Sequence, residues 1–443
     1  MKKVFRYTCL FLAVIFISGL LSACYDKREI DDLAYVIAIG IDEGKANNLL
    51  VTLQIAIPGS IAGGSGGGAS SGGGGGGGGG QKPFLVTSVE APTIYSALNM
   101  ANTYVNRQIN LSNAIALVFS KALAEKGVEY LINAVARGRE FRPSMYVVVS
   151  RTTAEDYIKN VIPVLENNPS KYYQLNFTSY EYTALSANSQ FHNFSTYMGS
   201  LDRQAIAILG GVNEHEKDED IDIRDSTYLE KGRSSPLEGD YKAGHIPRFS
   251  GTKSEVMGLA VFDGDKMVGE LDGEETAYYL LVTGEYRNAF WTMPDPQAKN
   301  RYVILNIRQN RKPQQEVNFI DGKPQISVKV LLEADITSIQ SGINYEIGEE
   351  TKKLERSAMD FLDNGITRLL NKTAKEFHSD IFGLGAVTKS RFLTFQQFEQ
   401  FKWKSRYKDS SFTVDVSLKI RRPGILIRSP SAVNSGGEGG MQF

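Results

Sequence analysis

The chain has 443 residues, 42% of them hydrophobic and 10% aromatic, material for two or three cored domains. A formal net charge of −1 excludes a global field that would draw it to nucleic acid or anionic lipid. With only two cysteines, Cys9 and Cys24, a disulfide framework is excluded once the leader described next is removed.

Lys2, Lys3 and Arg6 precede an apolar run over 10–21, broken only by Ser18 and Gly19. About a dozen apolar residues fall short of the roughly 20 that span a hydrocarbon core. With basic residues ahead, the run reads as the h-region of a signal peptide. It ends in Leu21-Ser22-Ala23-Cys24, which resembles the bacterial lipobox, in which diacylglycerol alkylates the cysteine thiol before cleavage. Residues 1–23 are expected to leave, taking Cys9, and Cys24 is the expected lipidation site. Two acyl chains, at about 0.8 kcal/mol per buried methylene, anchor stably where one does not. Residues 24–33 then serve as a lipid-anchored tether.

Two strands are predicted over 34–41 and 49–57, joined by the turn-rich Asp42-Glu43-Gly44-Lys45. Residues 59–80 hold 15 glycines in 22 positions, nine of them consecutive. Such a stretch has no apolar surface to offset its entropy and reads as a flexible insertion. A strand over 84–89 follows, then a helix over 93–106 with Ile94, Ala97, Leu98, Ala101 and Val105 on one face. Strands over 114–119 and 145–150 alternate with helices over 128–135 and 154–165, and 204–209 reads as a further strand. Alternation of this kind indicates a mixed α/β unit, assigned to 34–210. Tyr172, Tyr173, Phe177, Tyr180 and Tyr182 lie in a weakly periodic stretch; they could line a partner surface, although aromatics are more often core.

Residues 214–225 carry seven acidic residues against two basic ones, and 211–250 reads as a polar linker between domains. A C-terminal domain is assigned to 251–424. It begins with a hairpin, 256–262 and 266–270, around Asp263-Gly264-Asp265, a good turn signal, and continues with a helix over 274–282. Strands are predicted over 303–307, 326–336 and 412–420; in the last, Phe412, Val414, Val416, Leu418 and Ile420 alternate with polar residues. Leu354, Ala358, Phe361, Leu362, Ile366, Leu369 and Thr373 trace one face of a helix over 349–377, expected to lie across a mostly antiparallel sheet. The fold class is α+β, with a flexible tail over 425–443.

Catalytic and metal motifs fail in context. Gly63-Gly64-Ser65-Gly66-Gly67 matches a nucleophile-elbow pattern without the strand-to-helix turn that the motif needs, and the same run meets the dinucleotide glycine pattern only trivially. Gly40 to Lys45 is one residue short of a P-loop, and Ala46 stands where Ser or Thr should hold magnesium. Asp218, Asp220 and Asp222 imitate a calcium loop, but Ile223 and Leu229 occupy the positions of its glycine and its bidentate glutamate. His192, His215, His245 and His378 show no ligand spacing. No catalytic residue, metal site or cofactor site is therefore assigned, and binding or scaffolding is favoured over catalysis.

Several segments together resemble one family, the Ger(x)C lipoproteins that form the C subunits of spore nutrient germinant receptors. The stretch from Cys24 to Leu33, followed by Ala38-Ile39-Gly40-Ile41-Asp42, is similar to its opening signature. Gly258-Leu259-Ala260-Val261-Phe262 with Gly269 and Glu274-Glu275-Thr276 resembles its middle. Asp380-Ile381-Phe382-Gly383-Leu384-Gly385, Trp403 and Arg421-Arg422-Pro423-Gly424 resemble its C-terminal signature. Asn113 stands where the family often has a histidine, and the glycine insertion and the tail after Ile427 are unusual.

The resemblance implies three mixed α/β domains, no catalytic site, and assembly with two polytopic membrane subunits on the outer face of the inner membrane of an endospore. It implies a non-catalytic subunit that supports receptor assembly and germination signalling. The rival class is a membrane-tethered envelope enzyme such as a cell-wall hydrolase.

Overall fold

A computed structural model of the chain describes residues 2–20, 29–45, 48–58, 83–163, 165–166, 168–213, 242–246, 252–346 and 348–422. Helix α1 spans Lys2–Leu20, and among the described residues no helix is long and apolar enough to cross a membrane. The body is α+β, built on two mixed sheets of nine and five strands.

The larger sheet is seeded by β1 (Leu33–Glu43), which pairs antiparallel with β2 (Leu49–Ala56), and β2 pairs antiparallel with β3 (Phe84–Ala91). Helix α2 (Ile94–Ala101) starts at a capping box formed by Thr93 and Ser96. It ends five residues short of the expected 106, because the Asn102 side chain turns to accept the N–H of Ile109 in the short strand β4 (Gln108–Asn110). Strand β5 (Ala116–Ser120) follows, then α3 (Lys121–Lys126), α4 (Glu129–Arg137) and β6 (Tyr146–Ser150). Strands β5 and β6 are buried at every position and lie parallel to their neighbours. Strands covered on both faces read as unbroken apolar runs for that reason.

Helix α5 (Ala154–Lys159) stops at Asn160, well before the expected 165. Pro163 lies just beyond, and the residue ahead of a proline is pushed out of the helical region. The weakly periodic aromatic stretch resolves into three helices, α6 (Pro169–Phe177), α7 (Tyr180–Thr183) and α8 (Phe191–Met198). Tyr173 and Phe177 are core residues, whereas Tyr182 is 63% exposed. Strand β7 (Ile206–Val212) then pairs parallel with β6.

The hairpin of β8 (Ser254–Asp263) and β9 (Lys266–Leu271) was expected to open the C-terminal domain. Instead β8 pairs antiparallel with β7, so both strands extend the larger sheet, in the order β3-β2-β1-β5-β6-β7-β8-β9. Val261 and Phe262 are fully buried, and placing them against β7 hides an edge that would otherwise be bare. Gly264 supplies the positive φ of +62° that the hairpin turn needs.

Helix α9 (Gly273–Thr283) leaves this hairpin through a capping box of Asp272 and Glu275. Ala277 to Val282 are all buried, because the helix contacts β8 and β9 of one sheet and the C-terminal sheet and its long helix on the other side. A helix buried on every side has no polar stripe.

The second sheet holds β10 (Asn288–Pro294), β11 (Tyr302–Arg308), β12 (Gln314–Ile320), β13 (Lys323–Ile339) and β14 (Ser411–Arg422). Its pairings are antiparallel except for β13 with β14, which is parallel. The sequence showed neither β10 nor β12. Helix α10 (Glu349–Lys375) lies along β14. Every expected stripe residue is buried but one: Phe361 sits at the rim, with its ring edge-on to Trp291 at 6.5 Å. Three short helices, α11 (Leu384–Lys389), α12 (Phe395–Phe401) and α13 (Trp403–Tyr407), return the chain to β14.

Candidate interaction site at the junction of the sheets

The loop after α10 joins the C-terminal half to the larger sheet around Asp380, a carboxylate 1% exposed. Its Oδ1 accepts the backbone N–H groups of Phe382, Gly383 and Leu384 at 3.1–3.2 Å. Its Oδ2 accepts from Gly385 at 2.8 Å and from the indole Nε1 of Trp403 at 2.9 Å. Burial pushes the Asp380 carboxyl up, and these donors, with Arg203 nearby, oppose that shift.

Strap contacts surround it. The Asp380 carbonyl accepts Gln204 N–H at 2.8 Å, Ser379 Oγ donates to the Phe262 carbonyl at 2.7 Å, and Arg203 Nε donates to the Ile381 carbonyl at 2.9 Å. The Arg203 guanidinium also reaches the Tyr279 hydroxyl at 2.6 Å and stacks 4.4 Å from the Tyr197 ring centre. Burial works against its charge, but Tyr279, Tyr197, Glu285 and Asp380 outweigh that, leaving its pKa above the ordinary guanidinium value. Lys404 lies in the same junction, donating to Gln204 Oε1 at 3.1 Å; burial lowers its pKa, against the pull of Asp263, Asp202 and Asp380.

An open groove of about 210 Å³ lies where α7, α9, α10 and β10 meet, lined by Thr183, Leu185, Ala277, Trp291 and the faces of Phe290 and Phe361. Phe290 is 67% exposed. Arg287 Nη1 pairs with Glu181 Oε2 at 2.7 Å and ties α7 to the strand that carries Phe290. Its polar lining is Thr183, Thr292 and Glu274, and Glu274 accepts the Tyr278 hydroxyl at 2.6 Å. The arrangement can seat an apolar side chain.

Cys24, the one site residue singled out in the sequence, lies outside the described residues, as do the glycine run over 59–80, the acidic stretch over 214–225 and His215. His192, His245 and His378 are exposed and belong to separate parts of the fold. No cluster of three metal-ligating side chains occurs among the described residues. Other buried carboxylates hold backbone: Asp42 accepts Ala154 and Glu155 N–H at 2.7 and 2.9 Å, and Glu355 accepts Ile420 N–H at 2.9 Å. The Asp380 knot was visible in the sequence only as a glycine-rich signature. Its signal was an aspartate just ahead of two glycines and a short helix, the pattern of a carboxylate wrapped by N–H groups.

Two family models match the chain, one described as a spore germination protein N-terminal domain over residues 26–209, the other as a spore germination B3/GerAC-like C-terminal domain over residues 257–424. The chain belongs to this spore germination family. Spore germination protein KC of Bacillus subtilis is 25% identical over 431 residues, covering 96% of this chain and 97% of that one. Spore germination protein GerQC of Bacillus cereus is 22% identical over 77% of this chain and 83% of that one. The crystal structure of the GerBC protein is 16% identical, with a TM-score of 0.48 over 86% of this chain and 96% of that chain.

Proposed function

We propose that the chain is the lipid-anchored, non-catalytic subunit of a spore germinant receptor, acting through protein–protein contacts. The observation that carries this reading is the family match over both halves, from residue 26 to residue 424. The lipobox-like Leu21-Ser22-Ala23-Cys24 supports an anchor through diacylglyceryl Cys24, on the outer face of the inner spore membrane. The buried carboxylates support a scaffold, since Asp380, Asp42 and Glu355 each hold backbone N–H groups. The groove beneath Phe290 is the surface offered to the two polytopic membrane subunits of the receptor.

The test is co-purification of a tagged copy from spore membranes, with Cys24→Ala labelled in parallel by a fatty-acid probe. Membrane-subunit recovery and loss of label on the variant are the expected results. Label retained on Cys24→Ala would overturn the anchor. Absence of any polytopic partner would overturn the receptor reading.

A further inference from the structure

The three short helices that return the chain to β14 concentrate positive charge that the chain as a whole lacks. Residues 384–408 hold six Lys or Arg against one acidic residue, Glu399, in a chain of net charge −1. Among the described residues, only Lys389 of these six forms an ion pair, with Asp202 at 3.4 Å. Arg391 and Arg406 donate to neutral groups instead, the Asn318 side chain at 3.0 Å and the carbonyls of Phe401 and Gly322. Lys402 and Lys408 are exposed.

An apolar tip stands out of this basic surface. Leu393 is 94% exposed, and Phe395 and Ile320 are each 53% exposed. The chain around Leu393 is fixed: Phe392 packs its ring 5.7 Å from Phe398 and 5.1 Å from Phe401. Leu393 N–H donates to Gln397 Oε1 at 3.2 Å, and Thr394 caps α12. A large aliphatic side chain held in water within a cationic rim suits a bilayer surface. There apolar groups enter the acyl boundary while Lys and Arg meet anionic headgroups.

The tip lies at the edge of the larger sheet where the chain enters it. Strands β1, β5, β6 and β7 are parallel neighbours in that order, so their starts share one edge. The turn Ile30–Asp32 leads into β1 there. Asp202, four residues ahead of β7, stands at the same edge, and its partner Lys389 places Nζ 5.3 Å from the Phe395 ring centre. Three strand spacings, about 14 Å, separate β1 from β7. Cys24 is six residues ahead of Ile30, a reach of at most about 20 Å. A lipid on Cys24 therefore brings this edge, and not the far one, against the bilayer.

We infer that Leu393 and Phe395, with the cations around them, form a second membrane contact, seated on the anionic bilayer surface that holds the anchor. For its geometry the inference rests on the lipid-anchored reading above. A lipid alone leaves the folded body free to swivel on its tether. A second contact at the same edge sets one orientation, and with it the direction in which the groove beneath Phe290 is presented.

The test uses the full chain, reconstituted in vesicles of phosphatidylcholine with or without phosphatidylglycerol, with brominated acyl chains as quencher. Trp291 and Trp403, the chain's own tryptophans, are buried, so quenching gained on adding a surface indole reports the added position. Leu393→Trp is expected to be quenched when phosphatidylglycerol is present. Lys45→Trp, past the other end of the 11-residue β1, about 35 Å along the strand, is expected to match the parent. Adding Lys402→Gln and Lys408→Gln to Leu393→Trp is expected to lower the ratio of docked to undocked chain about fivefold for each cation removed. The contact is overturned if Leu393→Trp is not quenched, which would leave the tip to a protein partner. It is equally overturned if Lys45→Trp is quenched as much, or if neither the two glutamines nor omission of phosphatidylglycerol changes the signal. Mass spectrometry of the same sample reads the lipid on Cys24 independently. A lipidated chain without quenching sinks the contact and keeps the anchor, and a quenched chain without lipid does the reverse.

Discussion

The indole N–H of Trp403 reaches Oδ2 of Asp380 at 2.9 Å and completes a ring of donors around a carboxylate sealed from solvent. Four of those donors are local backbone groups; Trp403 is the one that comes from a distant element. The short helix that carries Trp403 is therefore tied to the inter-sheet junction through this buried carboxylate, beside the contact of its Lys404 with Gln204.

Removing that donor while keeping an aromatic ring isolates its contribution. Trp403→Phe is expected to lower stability by about 1–3 kcal/mol, the cost of leaving a buried acceptor short of a partner. Urea titration followed by circular dichroism measures it. A loss under about 0.5 kcal/mol would mean that the four backbone groups suffice.

The phase of α10 sets a second contrast. Leu362 is fully buried, Phe361 lines the groove at the rim, and Asp360 is exposed. Leu362→Ala is expected to cost about 2–5 kcal/mol, Phe361→Ala less than half as much, and Asp360→Ala no more than about 0.5 kcal/mol. Thermal melts of the three variants check the order. A Phe361 variant as damaging as the Leu362 variant would place the ring in the core, against the geometry described above.

Helices α9 and α10 touch through Gly365, where an added Cβ would lie 2.1 Å from Cζ of Tyr278. Gly365→Ala therefore forces an aromatic ring to move within a packed interface, at about 1–3 kcal/mol. Tyr278→Phe leaves the clashing ring carbons in place and does not relieve it, whereas Tyr278→Leu recovers part of the loss. Differential melting of the double variants reads this directly, and equal behaviour of the two would discard the steric explanation.

Acid should stabilise the cap of α9. Burial, with Glu275 and Glu274 beside it, raises the Asp272 pKa from 3.8 to about 6, against the Glu275 N–H and Lys372. A carboxyl whose folded pKa is raised binds its proton more tightly when folded. Its stabilising share is thus full below the unfolded pKa and lost as pH rises through about 6. The linked change is on the order of 3 kcal/mol at most. Asp272→Asn keeps a capping acceptor but cannot titrate. Its stability relative to the parent is expected to rise between pH 4.5 and 7.5 in paired urea titrations, and a pH-independent difference would contradict the shift.

Strong local patterns were legible in the sequence. The alternation in β14 and the Leu354-to-Thr373 stripe of α10 required only period and burial, and Asp263-Gly264-Asp265 marked its turn. Partner choice between distant strands was not legible, because β8 reads the same whether it pairs with β7 or with the second sheet. Strand β12 was missed since its exposed edge carries Gln, Glu and Asn, and β10 since Phe290 breaks the alternation on the wet face. Phe361 shows the limit of a helical wheel, which ranks faces but not how far the opposing surface extends. Asp380 was visible as part of a signature, yet its five donors depend on a loop closing onto a tryptophan that no spacing rule links to it.

The ladder between Ile206–Val212 and Ser254–Asp263 bridges the long polar segment, and the two family models divide the chain within that same interval. A backbone cut there would not liberate two free domains. It would produce a nicked, two-chain protein still clasped by β7 and β8 and by the Asp380 knot. Swapping either half for that of a distant relative would have to reproduce a strand pairing, a buried arginine and a loop closure at once.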